Sequence, residues 1–253
     1  MRERTTPSGK ERRENLLTLL LGVFWSLPLW VVTYPPMLDY PQHLAMSRIV
    51  QRINDSEWGF DALYRLDLSK PNALFEYLVA VLGIALPINM AGKLVLTFTL
   101  LGTGYAGLRF CRHMGRPWWM GLLGFPFFYS HIYYWGFVGT LMAIPLLLLA
   151  WIYVDRLMEE GMNPGSAAIF LLLSLGFYPI HLQFAFLFAG GTVWLFLCNW
   201  KGIREFALCS VPITAGALFC YFLSRITLAQ PGAFERGMMA ESSFTPLGAR
   251  LSA

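Results

Sequence analysis

Charged side chains are scarce in this sequence: Asp, Glu, Lys and Arg make up 13% of it, against about a quarter in an ordinary soluble domain. A fold coated in charge on all sides is therefore excluded. The common catalytic signatures are missing too, with no GxSxG, no Walker A loop, no HExxH and no GxGxxG following a strand. Serine hydrolase, nucleotide-driven and zincin readings lose their main support. Cysteine is limited to Cys111, Cys198, Cys209 and Cys220, all in or beside apolar runs and none in a CxxC pair. That leaves no disulfide framework and no cysteine metal centre. Tandem repeats and heptad arrays are also lacking. No basic stripe interleaved with aromatics marks a nucleic-acid surface, and the net charge of +4 is the ordinary surplus of a protein obeying the positive-inside rule.

What the chain has is apolar length. Hydrophobic residues are 56% of it and the mean hydropathy is +0.52. Runs of roughly 17 to 25 apolar residues recur, the length a helix needs to cross hydrocarbon. The reading is an all-α, polytopic membrane helix bundle. The first run, Asn15 to Tyr34, follows a basic segment over residues 1–14, lacks a small-x-small cleavage site and is too long for a signal peptide core, so it is a retained helix. Further runs lie at Asn72–Ile88, Met90–Phe110, Pro117–Trp135, Phe137–Val154, Ser166–Tyr178, His181–Cys198 and Glu205–Ser224.

Charge decides how many of these cross. If all do, the loops with Arg109, Arg112 and Arg116 and with Lys201 and Arg204 fall outside, against the positive-inside rule. Asn72–Ile88 is the weakest span, since it is short, carries Glu76 and is interrupted by Gly83 and Pro87. Without it, seven crossings place eleven Lys and Arg inside and seven outside. The expected organisation is a cytoplasmic basic N-terminus (1–14), a transmembrane module (15–225) with a large external loop (35–90) holding juxtamembrane helices, and a last segment (226–253) that reads as an external tail or the first part of a larger unit. The expected location is the plasma membrane, a bacterial inner membrane.

This orientation puts Asp39, His43, His131 and His181 at the outer face. Asp39 follows Pro35 and Pro36 and precedes Pro41, a pattern in which it can cap a helix, with His43 one turn on along the same face. The plain alternative is a capping aspartate with a surface histidine. An ionisable residue at the end of a membrane helix is nevertheless a functional candidate. Tyr133, Tyr134 and Trp135 read either as an interfacial aromatic belt or as substrate contacts. Asp39 and the three histidines could in principle ligate a metal, but their spacing matches no metal motif. A secondary transporter would be expected to carry charges near mid-membrane, and these runs hold almost none.

The stretch "PPMLDYPQHLAMSRI" resembles the acidic motif opening the first external loop of the GT-C superfamily of integral-membrane glycosyltransferases. "PNALFEYLVAVLGIALPINMAGKLVLTFTLLGTGYAGLRFCRHMGRPWW" looks like the second juxtamembrane helix, inward crossing and basic loop of polyprenyl- or dolichyl-phosphate-sugar transferases. The resemblance covers about residues 14–224 and is one of layout with one short motif. It implies a seven-helix module that moves a sugar from a polyprenyl-phosphate-linked donor to an acceptor at the outer face. Asp39 would be the general base and His43 its assistant. Arg48, Arg65 and Lys70 would take the phosphate, and Glu76, His131, Tyr133, Tyr134 and His181 would contact substrate. A divalent ion, Mg or Mn, is the one cofactor such chemistry would admit. The chain departs from the pattern in offering a single acid at Asp39 and His131 where several members place a second aspartate. A protein that binds a lipid-linked saccharide without turnover is the competing class, and a transporter the third.

Overall fold

The computed structural model describes residues 8–64, 66, 70–161 and 163–228, and among these there is no strand. Ten α-helices follow in order: α1 (Gly9–Val31), α2 (Tyr40–Gln51), α3 (Leu74–Leu82), α4 (Ile88–His113), α5 (Gly124–Phe128), α6 (His131–Trp135), α7 (Val138–Glu160), α8 (Pro164–Gly176), α9 (Leu182–Cys198) and α10 (Ile203–Leu228). Four of them, α1, α4, α7 and α10, are long and apolar enough to cross a membrane. Helices α8 and α9 are apolar but shorter. The segment expected to lie along the membrane surface forms the nine-residue α3, about 13 Å long and too short to span.

Burial runs opposite to that of a soluble protein. On α1 the buried face is Glu14, Thr18, Gly22, Ser26 and Leu29, spaced by nearly one turn each. Leu16, Leu19, Leu20, Val23 and Phe24 face outward. Small and polar residues inward with large apolar ones outward is the arrangement of a helix whose solvent is lipid. The small faces permit close approach. A Cβ on Gly22 would sit 2.5 Å from Leu101, and one on Gly216 of α10 would sit 2.8 Å from Ser174 of α8. Ser174 also donates its hydroxyl to the Ile213 carbonyl at 3.0 Å.

Polar contacts gather at two ends of the bundle. At one, Arg112 of α4 grips Glu14 of α1, His113 meets Asp155 of α7 at 2.7 Å, and Lys201 donates to the Met158 carbonyl. Glu14 is only 7% exposed, so Arg112 answers a charge that would otherwise be buried alone, a situation costing about 3–5 kcal/mol. At the other end, α4 caps α1. Asn89 donates to the Thr33 carbonyl at 2.6 Å and Lys93 to the Val32 carbonyl at 2.5 Å. These carbonyls follow directly on a helix that has no basic residue in its own last turn.

One expectation is corrected. Pro117–Trp135 is not a single helix but a 3₁₀ segment (Trp118–Leu123) followed by α5 and α6. It still travels between the two ends. Gly121 abuts Gly107 of α4, Phe125 covers Gly104 and Gly22, the Tyr129 hydroxyl donates to the Trp25 carbonyl, and Leu38 N–H donates to the Tyr134 carbonyl. Pro126 lacks the N–H that a continuous helix would use there. The longer rise of 3₁₀ geometry, about 2.0 Å per residue, compensates for the breaks.

Candidate functional site

Four connections meet in two pairs at the end of the bundle where α1 finishes. Backbone bonds join the entry to α2 to the α6–α7 turn: Leu38 N–H donates to Tyr134 O at 2.8 Å and Asp39 N–H to Trp135 O at 3.3 Å. The entry to α3 is joined to the α8–α9 turn. Asn72 N–H donates to Tyr178 O at 3.2 Å, Leu74 N–H donates to Pro179 O at 2.8 Å, and the Asn72 Oδ1 accepts from Leu182 N–H at 2.7 Å. The cap on α9 thus comes from a residue 110 positions away. Asn72 adopts a positive φ of 59° to provide it, a conformation Asn tolerates better than most residues.

His43 is the hub. Its Nδ1 lies 2.7 Å from Glu76 Oε1 on α3, and its Nε2 lies 3.2 Å from the Gly136 carbonyl. The two contacts hold the ring from both sides. Beneath it, Gly136 has φ 87°, and a Cβ there would stand 2.8 Å from Asp39 N. Only glycine permits both the turn and the approach.

Asp39 occupies the N-cap position of α2, but its side chain makes no capping bond. Its backbone is in the helical region (φ −89°, ψ −3°) rather than the extended one from which a cap reaches back. The expected Asp39–His43 pair does not form either, because His43 is committed to Glu76 and Gly136. The Asp39 carboxylate is half-buried and has no partner among the described residues.

The remaining candidates divide. Arg48 is held by Gln51 at 2.7 Å, and Gln51 in turn donates to Gly83 O at 2.6 Å. Lys70 is exposed, and Arg65 lies outside the described residues. Residue 131 is exposed, its ring edge-on to Trp135. Tyr133 is a core residue at 2% exposure, packed on Phe128 and Tyr129, whereas Tyr134 is exposed. His181 is half-buried beside Gly139, its Nδ1 buried without a partner, and burial lowers its pKa. Burial, reinforced by Tyr133 and Tyr34, raises the Tyr40 phenol and keeps it protonated to donate to Asn89 O at 3.3 Å.

Among the described residues no three His, Cys, Asp or Glu side chains gather to hold a metal ion. Residues not singled out from sequence are Gly136 and Asn72. Their signals were a glycine between two aromatics and an asparagine directly after Pro71. An apolar groove of about 320 Å³, bordered by Gly107, Cys111, Phe127 and Leu141, extends along α4 and α7 to Ser130. It ends one residue from His131.

No family model, curated protein or solved structure matches this chain.

Proposed function

We propose that this protein is a GT-C-type glycosyltransferase with seven membrane crossings, moving a sugar from a polyprenyl-phosphate-linked donor to an acceptor at the outer face. The observation that carries the reading is the Asp39 carboxylate, which has no partner among the described residues and is set on a backbone braced by Trp135 and Gly136. Transfer with inversion needs a base for the acceptor hydroxyl as the phosphate departs, and a free carboxylate at a membrane boundary can act so. His43, fixed by Glu76 and Gly136, is a positioning residue for the turn that carries Asp39. The groove ending at Ser130 offers hydrocarbon room for an isoprenoid chain whose headgroup lies at this end. The alternation of contacts between the two ends of the bundle favours seven crossings, with α8, α9 and the broken 118–135 segment among them.

Membranes carrying the full-length protein and its Asp39→Asn variant, given a radiolabelled polyprenyl-phosphate sugar, test the reading. Transfer should fall by about 10²–10⁴ while donor binding persists, and unchanged transfer overturns the role of Asp39. The competing reading, a protein that holds a lipid-linked saccharide without turnover, is favoured by the lone acid at Asp39. It predicts donor binding by the wild type with no transfer.

A further inference from the structure

A cation, Arg109, sits on the lipid-facing stripe of α4. Phe98 and Tyr105 are 67% and 46% exposed and stand two turns apart, and Arg109 continues their line one turn after Tyr105. Cα–Cβ bonds tilt toward a helix's N-terminus, which here sends the side chain away from the nearby helix end at His113 and back along the apolar stretch. Its guanidinium lies over the Tyr105 ring, 6.0 Å from the centroid. Among the described residues it makes no hydrogen bond or ion pair. The acids of the adjoining start of α1 are taken, since Glu14 holds Arg112 and Glu11 closes the cap at Ser8. Over residues 9–16 and 105–116 six cations, Lys10, Arg12, Arg13, Arg109, Arg112 and Arg116, stand against these two acids. A charge on a lipid-facing surface is costly until an opposite charge meets it, and one ring face answers it only in part.

We infer that Arg109 holds the phosphate of an anionic phospholipid in the leaflet at the N-terminal end of α1, with the acyl chains lying over Tyr105 and Phe98. The guanidinium fork donates to phosphate oxygens while its face stays on the Tyr105 ring. Charge complementarity selects this occupant. A zwitterionic lipid brings its own cation to a surface already rich in them, and a free phosphate ion has no hydrocarbon to lay along Phe98. The site is at the opposite end of the bundle from Asp39, because α4 runs from Asn89, beside the end of α1, to Arg112, beside its start. The assignment therefore does not rest on sugar transfer and uses none of its residues.

The test is native mass spectrometry of the full chain released from nanodiscs of equal parts phosphatidylglycerol and phosphatidylcholine. Wild-type protein should retain phosphatidylglycerol at least about fivefold over phosphatidylcholine, the ratio one interfacial cation supplies. Arg109→Gln should reduce that ratio about fivefold, and Arg109→Lys, which keeps the charge, should reduce it less. Arg116→Gln, at an exposed position in the turn past α4, should change it about twofold or less, because water and salt screen that charge. Equal retention of the two lipids by wild type overturns the proposal. So does a preference that survives Arg109→Gln unchanged, or one that Arg116→Gln lowers as far as Arg109→Gln does.

Discussion

His43 Nδ1 and Glu76 Oε1 meet at 2.7 Å across 33 positions of sequence, and the other ring nitrogen of His43 reaches the Gly136 carbonyl. One imidazole therefore ties α2 to α3 and to the turn before α7. The turn that carries Asp39 is held through this hub and through the backbone bonds around it.

Gly136→Ala should be damaging for two separable reasons. A left-handed conformation costs an ordinary residue about 1–2 kcal/mol, and the added Cβ would meet Asp39 N at 2.8 Å. Gly115→Ala is the control, with φ 64° and nothing near its Cβ position. Thermal unfolding in detergent should show Gly136→Ala clearly less stable than Gly115→Ala. Equal losses would mean that the contact with Asp39 contributes nothing.

Asn72 couples a cap to a strained backbone. Asn72→Gly relieves the positive φ but loses the bond to Leu182 N–H, and Asn72→Ala loses the bond while keeping the strain. The order of stability should be wild type, then Gly, then Ala, with the loss of the cap worth about 1 kcal/mol. Melting temperatures that place Ala above Gly would refute the strain argument.

His181 should make the fold sensitive to acid. Burial lowers its pKa in the folded state below the ordinary 6.5, so the unfolded chain binds its proton more readily. Stability from this group is full above that ordinary value and is lost as pH falls through the lower folded value. Melting curves between pH 8 and pH 5 should decline less steeply for His181→Gln than for wild type. Parallel curves would assign the acid sensitivity elsewhere.

Topology can be read by single-cysteine labelling from outside, in a background lacking the four native cysteines. With seven crossings, residues placed at Ser130 and Pro179 are modified and those at Gly115 and Gly202 are not. The reverse pattern would divide the Asp39 region from the α8–α9 turn, which the bonds from Asn72 and Leu74 to Tyr178 and Pro179 hold together.

Much of the architecture is legible in the residue order itself. Apolar run length marks α1, α4, α7 and α10 as membrane-length helices, and Glu76, Gly83 and Pro87 mark a segment whose helix, α3, is only nine residues long. These are local properties of composition, and hydrocarbon thickness converts them directly into helix lengths. The break in Pro117–Trp135 was less visible, because its aromatics satisfy a hydropathy count whether or not the helix is continuous. Tertiary structure alone decided the partners. Asp39 and His43 are spaced to pair along α2, yet a carboxylate from α3 and a carbonyl from the α6–α7 turn take both nitrogens of His43. Sequence spacing states which side chains can meet on one helix. Which acceptor a partly buried imidazole finds depends on the groups that neighbouring helices bring within 3 Å or so of it, and that is settled only when the bundle packs.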